Sequence, residues 1–343
     1  MVRTALSRRR RAAWIVAAPA LLAGLLAASV SVLPTWAGEL AASWMPQIAL
    51  GLLVVAAAML LAGLRLWPAV LMAMAVLLVL LMAPAVRQSA QVMARDASGA
   101  GTARIVFANI NLANDDLGPL ADWAAAVNAD VIVLTEVAPQ HLAMVEVAFP
   151  DYPERVLEPR RHPFGIMILS RLPVAAQETA TLVDVRVRGD VISVHGVGAA
   201  PVIAWADVQL AGGLLRVVGL HPWPPLWPEM MHAREGQLDE AAGMIAAHEA
   251  ATVVLGDFNA TPWSPALRSF AARAGLTGFN LAPTWPVWLG PAGIAIDHAM
   301  VGGCVSVLRL ETGPDIGSDH RPIMVELAFD AERPPDQGSP GTP

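Results

Sequence analysis

Between Arg11 and Arg87 the chain carries only two charged residues, Glu39 and Arg65. They bound uncharged stretches of 27 (12–38), 25 (40–64) and 21 (66–86) residues. A helix rising 1.5 Å per residue crosses a hydrocarbon core in roughly 20 residues, so each stretch is long enough. The reading is three transmembrane helices, near 12–33, 46–64 and 67–85. A cleaved signal peptide is the alternative for the first, but its apolar stretch exceeds the usual core of about 7–15 residues.

The arginines orient these spans. Arg3, Arg8, Arg9, Arg10 and Arg11 precede the first span, Arg65 lies in the second loop, and the first loop carries only Glu39. The positive-inside rule then expects a cytoplasmic N-terminus and, after three crossings, an exported remainder. Arg87 and Arg95 act weakly against this orientation.

Beyond residue 100 the balance is acidic. Residues 101–343 hold 14 of the 22 basic residues, all Arg, and 27 of the 29 acidic ones, a formal charge of −13. Neutralising phosphates with Lys and Arg supplies most non-specific affinity for nucleic acid, so this balance is wrong for gripping a long duplex. The single Cys304 rules out an intramolecular disulfide.

Composition divides the chain into an Arg-rich N-terminus (1–11), the apolar region (12–86), a small and polar linker (87–103), a domain (104–330) and a Pro/Gly-rich tail (331–343) expected to be disordered. Within the domain, Arg104–Ile110, Val131–Thr135, Gly165–Leu169, Val202–Leu210, Leu214–Leu220, Thr252–Leu255, Ile294–Val301 and Pro322–Leu327 read as strands. Ala211-Gly212-Gly213 marks a hairpin between the fourth and fifth. Leu117–Asn128 and His232–His248 read as helices. Many strands with few helices suggest an α/β arrangement in which two sheets pack together with helices outside.

Polar residues recur where these strands end. Asn109 closes RIVFAN, Glu136 closes DVIVLTE, His221 closes LRVVGLH, and Asp257 and Asn259 close TVVLGDFN. Asp297 and His298 interrupt IAIDHAMV, and Ser318, Asp319 and His320 precede PIMVEL. Singly each has a structural explanation: Glu136 a helix cap, Asn109 a turn, His221 one backbone contact, Asp257 an Asx turn. Together, six strand ends carrying acid, amide or imidazole argue for one pocket, because polar groups at the mouth of a buried strand are costly without a partner.

NIN, DVIVLTEV, FGIMILSR, VVGLHPWPP, VVLGDFNATPWS, IDHAMV and GSDHRPIMVEL, in that order, resemble the endonuclease/exonuclease/phosphatase superfamily over roughly 104–328. GDFN and SDHRP carry most of the likeness. Preceded by three spans, the domain also resembles a bacterial membrane-anchored subfamily, which implies a multi-pass protein of the inner membrane with its domain extracytoplasmic. The implied fold is a four-layer α-β-β-α sandwich with two mixed sheets. The implied activity is phosphoester hydrolysis with Mg²⁺ or Mn²⁺.

The resemblance also implies roles. Glu136 and Asn109 become metal ligands, and Asp319 a ligand of a second metal or an orienting group for Asn109. His320 and Asp297 match the family's His–Asp pair, the ring activating water or stabilising the phosphorane-like state. Asp257 orients the attacking water, while Asn259 and His221 donate to phosphate. Two features depart from the pattern. Asn111 stands where the nuclease branch often has Asp, and the only tyrosine, Tyr152, sits in a Pro-flanked loop. With the −13 charge, both favour a small phosphodiester, lipid headgroup or nucleotide as substrate over duplex nucleic acid. A nuclease and an inactive binding module are the alternatives.

HPWPPLWP (His221–Pro228) reads as a packed lid, a substrate wall or a loop dipping into a membrane. Arg160, Arg161 and His162 are either substrate contacts or a solvated loop. His141, His195, His232 and His248 are given no role.

Overall fold

The computed structural model describes residues 2–31, 33, 35–64, 66–93, 101–182, 186–187, 190–191, 193–194, 197–198, 200–248 and 251–329. Arg65, His195, most of the expected linker (94–100) and the tail (331–343) lie outside the described residues. Two compact units make up the chain, the first ending at Val86 and the second beginning at Arg87, apart from the stretch Trp263–Pro265, which counts with the first.

The first unit holds α1 (Val2–Ser29), α2 (Trp36–Ser43), α3 (Met45–Leu61) and, up to Val86, α4 (Leu66–Met93). Leu52, Leu71 and Leu78 pack with Ala27, Ala42 and Ala56 between them. The opposite faces are also apolar, and Ile15, Leu50, Val54, Leu61, Val76 and Leu80 are all exposed. A helix apolar on every side suits a non-aqueous surrounding.

These helices do not make the three equal spans expected from charge alone. Trp67–Met93 is long and apolar enough to cross a membrane; Ile15–Ser29 is too short by the same test. α2 and α3 reach the length only as a pair bent by 72°. The described chain therefore holds one helix able to span, or two if the bent pair acts as one. At the bend, Pro46 opens α3 right after the non-helical Trp44, the first-turn position that proline favours.

The second unit stacks two six-stranded sheets. Its strands are β1 (Gly101–Asn109), β2 (Val131–Thr135), β3 (Glu154–Glu158), β4 (Ile166–Ser170), β5 (Val174–Thr181), four two-residue strands β6–β9 between Arg186 and Gly198, β10 (Val202–Leu210), β11 (Gly213–Leu220), β12 (Thr252–Asp257), β13 (Leu276–Thr277), β14 (Asp297–Gly302), β15 (Val305–Thr312) and β16 (Ile323–Phe329). One sheet runs β15-β16-β1-β2-β4-β3 and the other β13-β14-β12-β11-β10-β5. Each has one parallel pair, β1 with β2 and β11 with β12, among antiparallel neighbours. Both sheets are thus mixed, as expected.

Alternation along the strands builds the core. Ile105, Phe107, Val131 and Val133 face Val217, Val253, Leu255 and Val301 across the sandwich. Val106, Ala108, Ile132 and Leu134 point outward, under α5 (Gly118–Ala126) and α6 (His141–Ala148). α7 (Pro228–Ala246) covers the outer face of the other sheet, with Met244 and Ile245 beside Ile203 and Val218. α8 (Pro265–Arg273) lays Phe270 on Phe258.

Register decides where the polar strand ends fall. Asn109 pairs with Thr135, so Glu136 follows beside it. Leu220 pairs with Gly256, which puts His221 next to Asp257. Asp257 is itself directly opposite Asp297 on antiparallel β14. All these groups thus lie at the carboxyl ends of the two parallel pairs, where open α/β sheets gather their ligands. Gly256 is required for the approach: a Cβ there would meet the Leu220 carbonyl oxygen at 2.0 Å.

Candidate active site

Asp257 is the centre of the arrangement. Its buried Oδ2 accepts from Asn109 Nδ2 (3.1 Å) and faces His221 Nε2 (3.4 Å) and His320 Nε2 (3.6 Å). Asn109 belongs to one sheet and His221 to the other, so this oxygen is where the sheets meet. The other oxygen, Oδ1, accepts the Asn259 backbone N–H (2.9 Å), an Asx turn. The turn and the site are therefore the same structure.

Asn259 adopts φ 50, Asn111 φ 63 and Glu136 φ 61. Asparagine tolerates this left-handed region, but glutamate has no such ease, and the strain costs on the order of 1–3 kcal/mol. Local bonds hold Glu136 there: Oε1 accepts from Asn109 Nδ2 (3.0 Å) and Oε2 from Leu112 N (2.9 Å). The Asn109 amide is fixed in turn, since its Oδ1 accepts from Asn111 N (3.0 Å). Asn259 keeps its side chain in place by donating Nδ2 to the Pro222 carbonyl (3.1 Å).

Asp297 and His320 form a buried pair. His320 Nδ1 is 3.0 Å from Asp297 Oδ2 and 3.2 Å from Oδ1, while Asp297 also lies beside the Thr284 hydroxyl that anchors its backbone N–H (3.3 Å). Burial alone would lower the imidazole pKa. The carboxylates of Asp297 and Asp257 outweigh burial and push it up to about 10. Burial acts on Asp297 too, raising its carboxyl above the ordinary value, so the two groups hold a proton between them. Ser318 ties this loop to β1, donating to the Asn109 carbonyl (2.8 Å) and accepting from His320 N (3.1 Å).

Asp319 is spoken for on both oxygens. Oδ1 accepts from Asn111 Nδ2 (2.8 Å) and Oδ2 from Trp285 Nε1 (3.0 Å). Burial would raise its pKa, but the nearby His320 cation and these two donors hold it below the ordinary value. Asn111, the departure noted in sequence, thus donates to the acid that a second aspartate would repel.

Two oxygen-rich places are candidates for a divalent cation. Asp257, Asp297 and His320 have potential ligand atoms within 4.8 Å of one another. In that triad His320 Nδ1 is already engaged by the Asp297 carboxylate. Glu136 with Asn109 fits better: a half-buried carboxylate and an amide oxygen are hard donors, and Mg²⁺ needs few because it keeps several waters. Both Glu136 oxygens retain lone pairs beyond their single hydrogen bonds.

Other sequence candidates are placed as follows. Arg160 pairs with Glu158 (2.7 Å), Arg161 is exposed, and burial next to Arg160 lowers the pKa of His162. Trp223 is buried and stacks on Phe164 at 6.0 Å, so the lid reading describes the first half of HPWPPLWP. Leu226 and Trp227 in its second half are 56% and 52% exposed. Tyr152 is structural, donating to the Ala129 carbonyl (2.7 Å). His141 braces the loops behind Glu136, accepting from Ala138 N and meeting the Asn114 carbonyl, each at 3.0 Å. His298 is buried against the Ala260 carbonyl (2.9 Å).

Sequence reasoning missed Trp285, which binds Asp319 and lies 6.5 Å from the His320 ring. The signal was present as a tryptophan before a proline, 12 residues ahead of Asp297. It also missed Arg234 and Gln237, polar side chains on the buried face of α7.

A two-sheet sandwich with clustered acids, amides and imidazoles at its strand ends defines the class: an α/β protein with one polar pocket at the end of its sheets. Residues 106–320 match the model of the Endonuclease/Exonuclease/phosphatase family. The chain belongs to that family. No curated protein matches the sequence. Among solved structures, it is similar to an endonuclease/exonuclease/phosphatase from Bacteroides vulgatus, 19% identical, TM-score 0.55, covering 67% of this chain and 99% of that one. It is also similar to the mannosyl-6-phosphatase Bt3783 of Bacteroides thetaiotaomicron, 16% identical, TM-score 0.50, covering 66% and 100%. A third likeness is to truncated Caenorhabditis elegans TDP2, 16% identical, TM-score 0.51, covering 66% and 97%. At these identities the likeness is one of fold.

Proposed function

We propose that the second unit hydrolyses phosphoesters with the help of a divalent cation, and that the first unit anchors it in a membrane. The observation that carries the catalytic reading is the meeting of Asn109, His221 and His320 around one oxygen of Asp257. A carboxylate there takes up or orients the proton of an attacking water. His320, its protonated form supported by Asp297, donates to the phosphoryl oxygens and stabilises the charge of the transition state. Asp297 supports that charge. His221 and the second N–H of Asn259 add donors to the same phosphate.

Glu136 and Asn109 would hold the cation, Mg²⁺ or Mn²⁺, which supplies Lewis-acid stabilisation of the charge developing on phosphate. Asp319 is hydrogen-bonded by Asn111 and Trp285, and each of its oxygens keeps a lone pair with which it could join a second cation.

Substrate choice follows the surface. A domain of charge −13 disfavours duplex nucleic acid. Trp227 follows the His221 loop, and Trp288, 78% exposed, follows Trp285. Tryptophan favours the lipid interface, and the uncharged run of α4 up to Val86 supports anchoring in a bilayer. A small or lipid-borne phosphodiester at a membrane surface is the substrate we favour. Phospholipid vesicles and supercoiled plasmid, each with Mg²⁺, distinguish the readings. Release of headgroup or phosphate from vesicles supports this one, and nicking of plasmid alone would replace it with the nuclease.

A further inference from the structure

We infer that α7 positions the phosphate-holding residues, through Arg234 and Gln237. This rests on the catalytic reading of Asn259 and His221 given above. The two side chains are three positions apart and so share one helix face. Both are fully buried in the unit. A buried arginine is rare and costly unless it is bonded. Here its Nη1 donates to the Asn259 carbonyl at 2.7 Å.

Gln237 engages the neighbouring loop. Its Oε1 accepts the Trp223 backbone N–H at 3.0 Å. The carbonyl of that same peptide group, on Pro222, accepts Asn259 Nδ2 at 3.1 Å. The Pro222–Trp223 peptide is thus gripped on its nitrogen side by α7 and on its oxygen side by Asn259. A closed circuit runs from Arg234 to Asn259, across that peptide, to Gln237 and back along the helix.

The circuit fixes two things a phosphate site needs. Asn259 is left-handed at φ 50, and the Arg234 bond to its carbonyl holds the turn that aims its amide. His221 immediately precedes the gripped peptide, so its ring is placed by the same clamp together with the Pro163 carbonyl at 3.2 Å. Arg234 and Gln237 act through backbone groups of Asn259 and Trp223. They are positioning residues, and a misplacement of about 1 Å is enough to cost a large factor in rate.

The test is a double-mutant cycle in the full-length chain in detergent. Arg234→Met is expected to lower kcat/KM for bis(p-nitrophenyl) phosphate by about 10-fold or more, with Arg234→Lys recovering most of it through its remaining donor. In an Asn259→Ala background, Arg234→Met should have no further effect, because the two residues act as one. Thermal unfolding identifies variants that merely fail to fold, and Gln237→Met gives a second, uncharged entry to the circuit. Multiplying effects of Arg234→Met and Asn259→Ala, or a lowered Tm with kcat/KM unchanged, would overturn the inference. Should the unmutated chain turn over nothing, the phosphoesterase reading fails separately. Amide exchange then decides for the circuit: exchange accelerated by Arg234→Met at 257–261 alone upholds it, and unchanged exchange there refutes it.

Discussion

His320 Nδ1 and Asp297 Oδ2 lie 3.0 Å apart with both side chains buried. One ring nitrogen is thereby committed to a carboxylate, and the other is aimed at Asp257. The carboxylate favours the protonated ring against the burial that disfavours it.

Removing the carboxylate should expose that dependence. Asp297→Asn keeps the volume but leaves His320 without its counter-charge. Turnover is expected to fall by about 10²-fold or more, and the rate at alkaline pH should decline earlier than in the unmutated protein. A pH–rate profile that keeps its shape would show that Asp297 does not hold the proton.

Gly256 offers a test of the fold itself. The Cβ of Gly256→Ala would sit 2.0 Å from the Leu220 carbonyl oxygen, a backbone atom that cannot step aside. The strands β11 and β12 would have to separate where His221 and Asp257 meet. Destabilisation above about 4 kcal/mol is expected, measured by denaturant unfolding in detergent. A Tm close to the original would contradict the packing described.

His298 predicts how stability changes with acid. Burial pushes its pKa down to about 4, so the folded form resists a proton that the unfolded chain accepts near 6.5. Stability contributed by the neutral ring is complete above about pH 6.5 and is lost as pH falls towards 4. At 1.36 kcal/mol per pKa unit, the loss is about 3 kcal/mol. Comparing the pH dependence of unfolding with that of His298→Gln isolates this share; parallel curves would refute it.

Glu136→Gln keeps the hydrogen-bonding shape but removes the charge that a cation needs. Mn²⁺ affinity, read by calorimetry, should fall by about 10-fold or more. Unchanged affinity would move the metal elsewhere, with the Asp257–Asp297–His320 cluster next in line.

Much of this was legible before any coordinates. Val131–Thr135 and Val202–Leu210 are strands at the expected bounds, because β-branched runs ending in turns leave little choice. The structure brings Asn109, Glu136, His221, Asp257, Asn259, Asp297, Asp319 and His320 to one end of the sandwich. β3, β5, the short β6–β9, β13, β15, α6 and α8 were not foreseen. β5 (VAAQETAT) is a largely exposed edge strand with no apolar alternation, so its pairing with β10 comes from the neighbour and not from its own pattern. The membrane region was over-read for a related reason: charge counts register length, whereas Pro46 and the bend of 72° between α2 and α3 come from backbone geometry. Arg234 escaped notice because a polar residue inside a helix reads as solvent-facing until its burial is known.

Hydrolysis of bis(p-nitrophenyl) phosphate by the full-length chain in detergent, with Mg²⁺, Mn²⁺ or EDTA and beside a His320→Ala control, tests the central claim most directly. The account predicts turnover with metal, abolished by EDTA and reduced by about 10²-fold or more in the variant. Turnover that survives EDTA, or that His320→Ala leaves untouched, would contradict it.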